Sequence, residues 1–193
     1  YGYIKPKIDK GHRVFGAINS VPKIVLNEDG QWDKFLPNYE SQNINYETYG
    51  CTIWGTQNCI ETLENRLDNT SPNYSERYNY ILANVTPPGA DVHYICDSIR
   101  QFGLVPEAIL DMPNTYEEFL TPNPMTNEYL DVGKKWLNNW EFSHEWVFTD
   151  ELDANVRIAK MKDALRYSPI GVSVTAWYEQ DGIYIDNNES NNH

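Results

Sequence analysis

Apolar residues recur along the chain at two different periods, and the change of period divides it. After a loop rich in Asn, Gln and Tyr, Ile53, Trp54, Ile60, Leu63 and Leu67 return at spacings of one, three, four and seven. That pattern predicts a helix over 51–67, buried on a broad face and stopped by Asp68-Asn69-Thr70-Ser71-Pro72. A short helix follows over 75–83, with Ser75 as its candidate cap. Asp91 is placed to cap another through Phe102, where Val92, Ile95, Cys96 and Ile99 share a face and Gly103 ends the run. A helical turn is expected near 116–120, and a helix from Thr126 to about Trp140 with Trp136 and Leu137 inward. The strongest amphipathic pattern runs over 150–167, through Leu152, Val156, Ala159, Met161, Ala164 and Leu165. Beyond Ser168-Pro169 the period becomes two. Residues 170–177 alternate and are β-branched, Asp181-Gly182 reads as a turn, and 183–185 as a second strand. Helices first and strands last predict an α+β arrangement with an antiparallel sheet only begun.

The first 48 residues carry less pattern. Short strands are conceivable at 14–18 and 23–26, but an arm wrapped on the surface is the favoured reading, with Trp32, Phe35, Leu36 and Tyr39 as apolar anchors. The N-terminus is neither a signal peptide nor a methionine start, so the chain is expected to begin inside a longer product.

Composition narrows the function classes. The chain has 193 residues and a formal net charge of −13, which argues against a nucleic-acid groove, since phosphate binding rests on clustered Lys and Arg. No apolar run is long enough to span a membrane. Three cysteines, Cys51, Cys59 and Cys96, are too few for a disulfide scaffold, and reduced thiols are expected. The four histidines, His12, His93, His144 and His193, show no metal-ligand spacing, and there is no Cys-x-x-Cys. Neither metal nor cofactor is therefore expected. Cys51 stands out because it opens a helix, where unpaired N–H groups and the macrodipole favour a thiolate. Such a nucleophile needs a base, which a distant part of the chain can supply.

Several stretches, taken in order, resemble the papain-like cysteine peptidases. Leu36-Pro37-Asn38-Tyr39-Glu40-Ser41-Gln42 is similar to the stretch that carries that family's glutamine, and Gly50-Cys51 with Trp54 to its nucleophile helix. Tyr74-Ser75-Glu76-Arg77 resembles its Leu-Ser-Glu-Gln. Tyr167-Ser168-Pro169-Ile170-Gly171-Val172 resembles its strand entry, and Gly182-Ile183-Tyr184 with Asn192-His193 the approach to its histidine. The resemblance covers about 36–193 and is nearest to divergent phage- or bacterium-encoded members. It departs from the family in two spacings. Trp54 stands three residues after the cysteine rather than directly after it, and Gln42 nine before rather than six. An insertion, a donor from Asn43 or Asn45, or an altered oxyanion hole are the alternatives.

The resemblance implies a papain-like α+β fold. It places an arm over 1–35, a helical left lobe over about 36–125, and a right lobe over about 126–193 whose C-terminal part is missing. It implies a cysteine-type endopeptidase acting on polypeptides, with Cys51 as nucleophile, His193 as its imidazole partner and Gln42 as oxyanion donor. The alternative is an inactive fold used as a binding or virion structural module, with other virion or host proteins as partners. A cytoplasmic or virion-associated place is expected over a secreted one. A carbohydrate-binding domain, suggested by the many Trp and Tyr residues, ranks lower because those aromatics fall at core spacing.

Overall fold

The computed structural model describes residues 2–8, 12–15, 23–149, 152–174, 177–181 and 183–186. Its centre is α1 (Cys51–Asp68), closed by Asn69 in a left-handed conformation. Against it pack α2 (Glu76–Leu82) and α3 (Val92–Phe102), and α5 (Asn127–Asn139) packs on α3. A single turn, α4 (Tyr116–Phe119), places Phe119 at the middle of the core. α3 starts where Asp91 accepts the His93 N–H at 2.8 Å, which satisfies one of the donors that every helix start leaves open.

One core joins these helices. Ile53, Trp54, Ile60, Tyr80, Ile95, Ile99, Leu104, Phe119 and Trp136 form its main cluster. Trp54 stacks on Phe119 at 6.5 Å, and Tyr80 meets the same ring edge-on at 4.8 Å. The buried stripe of α1 is not purely apolar. Gln57, Glu61 and Glu64 share it with Ile53 and Ile60, and all five are less than 9% exposed. Gln57 is satisfied on its amide nitrogen, which donates to Asn79 Oδ1 at 3.0 Å, while Asn79 Nδ2 reaches the Gly103 carbonyl at 3.3 Å. Glu64 accepts from Tyr74 Oη at 2.5 Å and from Trp136 Nε1 at 2.8 Å, tying α1 to α5. Arg77 holds the irregular 111–121 stretch through the carbonyls of Asp111, Glu118 and Phe119.

The α+β expectation with a β right lobe is overturned. The described chain is a helical unit of six α-helices. Its β structure is one antiparallel hairpin, β1 (Trp177–Gln180) with β2 (Ile183–Asp186), registered Trp177 to Asp186 and Gln180 to Ile183. Residues 170–174, expected to open a strand, pair with nothing as strand. Alternation alone does not make a strand, because the hydrogen-bond ladder needs a partner segment brought alongside. The helix expected over 150–167 is also shorter. α6 spans Ala154–Ala164, and only Ala164 is buried, with Val156 45% and Ile158 50% exposed. Its periodicity finds no packing partner among the helices, and the contacts at its end are with the early chain. Trp32 Nε1 donates to the Leu165 carbonyl, and the N–H groups of Leu26 and Asn27 to that of Arg166. Of the four predicted anchors, Trp32 is buried and Phe35 half-buried, whereas Leu36 and Tyr39 lie exposed. The strands considered at 14–18 and 23–26 reduce to a single bridge, Val14 with Trp146, among the described residues.

Candidate functional site

Cys51 is the first residue of α1, preceded by Tyr49 at φ 58° and by Gly50 at the cap. Gly50 supplies no side-chain oxygen, so the first N–H groups of α1 face the thiol end without a side-chain cap. It must be glycine for a packing reason. A Cβ there would lie 2.4 Å from the Trp54 ring, which folds back over the helix start. This is why Trp54 stands three residues beyond the cysteine: it is core, and it fixes the entry of the chain.

The loop before the helix brings Gln42 back toward Cys51. Thr48 is fully buried, donates through Oγ1 to the Gln42 carbonyl at 3.0 Å, and accepts the Gly50 N–H at 3.2 Å. Two hydrogen bonds therefore link the Gln42 backbone to the residue before Cys51, although nine positions separate Gln42 and Cys51 in sequence. The Gln42 Oε1 is buried without a partner. Rotating the amide by half a turn exchanges this oxygen for two N–H donors, so the side chain is not spent on holding the loop.

A strand-like segment of the chain already lies against this end of α1. Ala90 donates to the Gly2 carbonyl at 2.9 Å and accepts from the Ile4 N–H at 2.9 Å, a parallel bridge centred on Tyr3. The approach is close enough to require two glycines. A Cβ on Gly2 would lie 2.3 Å from the Tyr49 carbonyl oxygen and 2.9 Å from the Cys51 nitrogen, and one on Gly89 would lie 2.1 Å from the Gly2 carbonyl oxygen. The sequence reading missed this contact; the paired Gly2 and Gly89 were its only trace.

The Cys51 thiol is half-buried, and that burial pushes its pKa up. Hydrogen bonds from the Gly2 and Thr52 backbones act the other way and do not overcome it. The expected acidic thiol is therefore not produced by the helix start alone. His193, its expected partner, lies outside the described residues. The other three histidines gather elsewhere. His93 Nδ1 and His144 Nε2 are 2.9 Å apart, His12 stacks on His93 at 4.3 Å, and Trp146 Nε1 donates to His12 Nδ1 at 3.1 Å. Arg100 donates to His144 Nδ1 at 2.6 Å, which fixes the tautomer: His144 Nε2 carries the proton and gives it to His93. Burial, then Arg100, lowers the His144 pKa to about 4.

Cys59, half-buried, and Cys96, buried, are free thiols that burial pushes to about 11 and about 12. Among the described residues no group of three His, Cys, Asp or Glu side chains is arranged to hold a metal ion, and no helix is long and apolar enough to cross a membrane. A cleft of about 710 Å³ is lined by Leu26, Glu28, Lys34, Phe35 and Arg66. Arg66 lies in the last turn of α1, about 22 Å along the helix from Cys51. No family model matches the chain, and no curated protein or solved structure does.

Proposed function

We propose that this chain is a cysteine-type peptidase acting on polypeptides, with Cys51 as nucleophile and His193 as its proton partner. One observation carries the reading. An extended stretch of backbone, Gly2 to Ile4, is held by the N–H and C=O of Ala90 directly beside the Cys51 nitrogen. A groove that pairs backbone with backbone next to a thiol at a helix start is suited to a peptide, because main-chain pairing accepts any sequence. In this reading the Cys51 sulfur attacks the scissile carbonyl carbon. The developing oxyanion takes hydrogen bonds from the Cys51 N–H and the Gln42 amide, each typically worth about 3 kcal/mol. His193 protonates the departing amine, and water then cleaves the thioester.

A binding module without catalysis is the second reading. It is favoured by the raised Cys51 pKa and by the segment that covers the thiol. The two separate on reaction with a peptidyl electrophile such as a peptidyl chloromethyl ketone. The peptidase reading expects covalent label at Cys51 under conditions that leave Cys59 and Cys96 unlabelled, and its loss in His193→Ala. Equal labelling of wild type and His193→Ala favours the binding module.

A further inference from the structure

Four carboxyl side chains meet where the start of α2 crosses α1. Glu61 of α1 and Glu76 of α2 are each 4% exposed. Glu40 and Glu107 close the rim, drawn together by Asn73, whose Nδ2 donates to Glu40 Oε1 at 2.6 Å and to Glu107 Oε2 at 2.9 Å. The Glu107 charge acts on Glu40, and the Glu40 charge on Glu76. Carboxyl groups crowded onto one donor in this way repel one another when all are ionised, and a proton on one of them relieves it.

The charges that act most strongly on the Glu61–Glu76 pair are carboxylates. The charged groups that face Glu61 are Glu40, Glu64 and Glu107, and those that face Glu76 are Glu40, Glu61 and Glu107. The Tyr74 N–H reaches Glu61 Oε1 at 2.8 Å, and the backbone N–H of Glu76 turns toward its own carboxyl. Glu76 Oε1 is buried with no partner. Burying unpaired carboxylates this deeply is far costlier than burying the acids.

We propose that Glu61 and Glu76, rimmed by Glu40 and Glu107, form a proton-held bolt between α1 and α2, closed while the two buried carboxyls keep their protons and opened when alkali removes them. Burial raises Glu61 to about 8, and burial followed by the Glu40 charge raises Glu76 well above its ordinary value. The sign follows from linkage. The unfolded chain loses these protons near pH 4.5 while the folded chain keeps them, so stability is fully present below that pH and is lost as pH rises toward and through about 8. Other groups leave a clear window. His144 titrates differently in the two states below about pH 6.5, and the thiols Cys59 and Cys96 do so from about pH 8.5 upward. The bolt fastens the helix that carries Cys51, and it stands whether or not that thiol is catalytic.

The test is the urea unfolding midpoint between pH 6.5 and 8.0, for wild type, Glu61→Gln and Glu76→Gln. Wild type is expected to lose stability across the window with a slope of about one to two protons held by the folded state. Each glutamine variant flattens that slope, and Glu76→Gln melts several degrees above wild type at pH 8. Parallel slopes in all three proteins overturn the proposal. So does a millimolar calcium or magnesium addition that abolishes the alkaline loss, since a bound cation would then be the countercharge. If neither variant folds, infrared difference spectra of the wild type decide. A protonated-carboxyl band at pH 6.5 that fades by pH 8.5 is expected, and a spectrum without one at pH 6.5 overturns the bolt.

Discussion

At the contact of α1 with α5, one carboxylate depends on two donors. Glu64 is 6% exposed and accepts from Tyr74 Oη and Trp136 Nε1. Burial raises its pKa, and these two bonds pull it back. Tyr74→Phe removes the shorter bond and leaves the carboxylate half served, at a cost of about 1–3 kcal/mol in urea unfolding at pH 7. An unchanged midpoint would mean that Trp136 alone satisfies Glu64. The same scale explains what sequence reading missed in α1. Gln57, Glu61 and Glu64 share one stripe with Ile53 and Ile60, at positions 53, 57, 60, 61 and 64. Polar residues on a buried stripe are a signal of a buried network, but periodicity scored on apolar residues passes over them.

Among the elements, legibility followed the density of local signal. α1, α3 and α5 were readable because each carries a stripe, and α3 also a cap at Asp91 and a stop at Gly103. α6 was overestimated. Its stripe is real in sequence, yet Val156 and Ile158 remain exposed, because amphipathic spacing states what a face could bury and not that a partner exists. The strand expected from 170 does not form over 170–174, for the related reason that strands form in pairs and alternation does not name the mate, whereas Trp177 does open β1. In the 111–121 stretch only the turn at 116–120 was readable, found as α4, and the rest is held largely by Arg77, 9% exposed and bonded to three carbonyls. Arg77→Met is expected to leave the Asp111 and Phe119 carbonyls without this donor, while Thr121 still serves Glu118, and to cost about 2–4 kcal/mol. Hydrogen exchange should rise first at Phe119, Leu120 and Thr121, whose N–H bonds belong to that turn. Exchange spread evenly over α2 and α3 instead would contradict the local role given to Arg77.

For the whole molecule, the balance of pH effects and the position of the arm matter most. His144 contributes stability at neutral pH that is lost as pH falls from 6.5 toward about 4, while the Glu61–Glu76 bolt loses its contribution as pH rises. The helical unit is thus held at both ends of its pH range by buried groups kept neutral. Cys51 was legible as a candidate from its place at a helix start, and Gln42 from the resemblance. The contact of Gly2 with Tyr49, Cys51 and Gly89 was not, because a backbone pairing between residues so distant in sequence leaves no periodic trace.

The most direct test is the pH dependence of iodoacetamide alkylation at Cys51, read by mass spectrometry in the intact protein and in Gly2→Val. A side chain at position 2 clashes with the Tyr49 carbonyl and the Cys51 nitrogen, so the variant displaces the arm while Cys51, Gln42 and His193 are all retained. The peptidase reading predicts slow labelling in the wild type and rapid labelling in Gly2→Val that persists well below pH 7 and disappears when His193→Ala is added. Labelling that rises only in the ordinary thiol range, about pH 8–9, in every one of these proteins would contradict it.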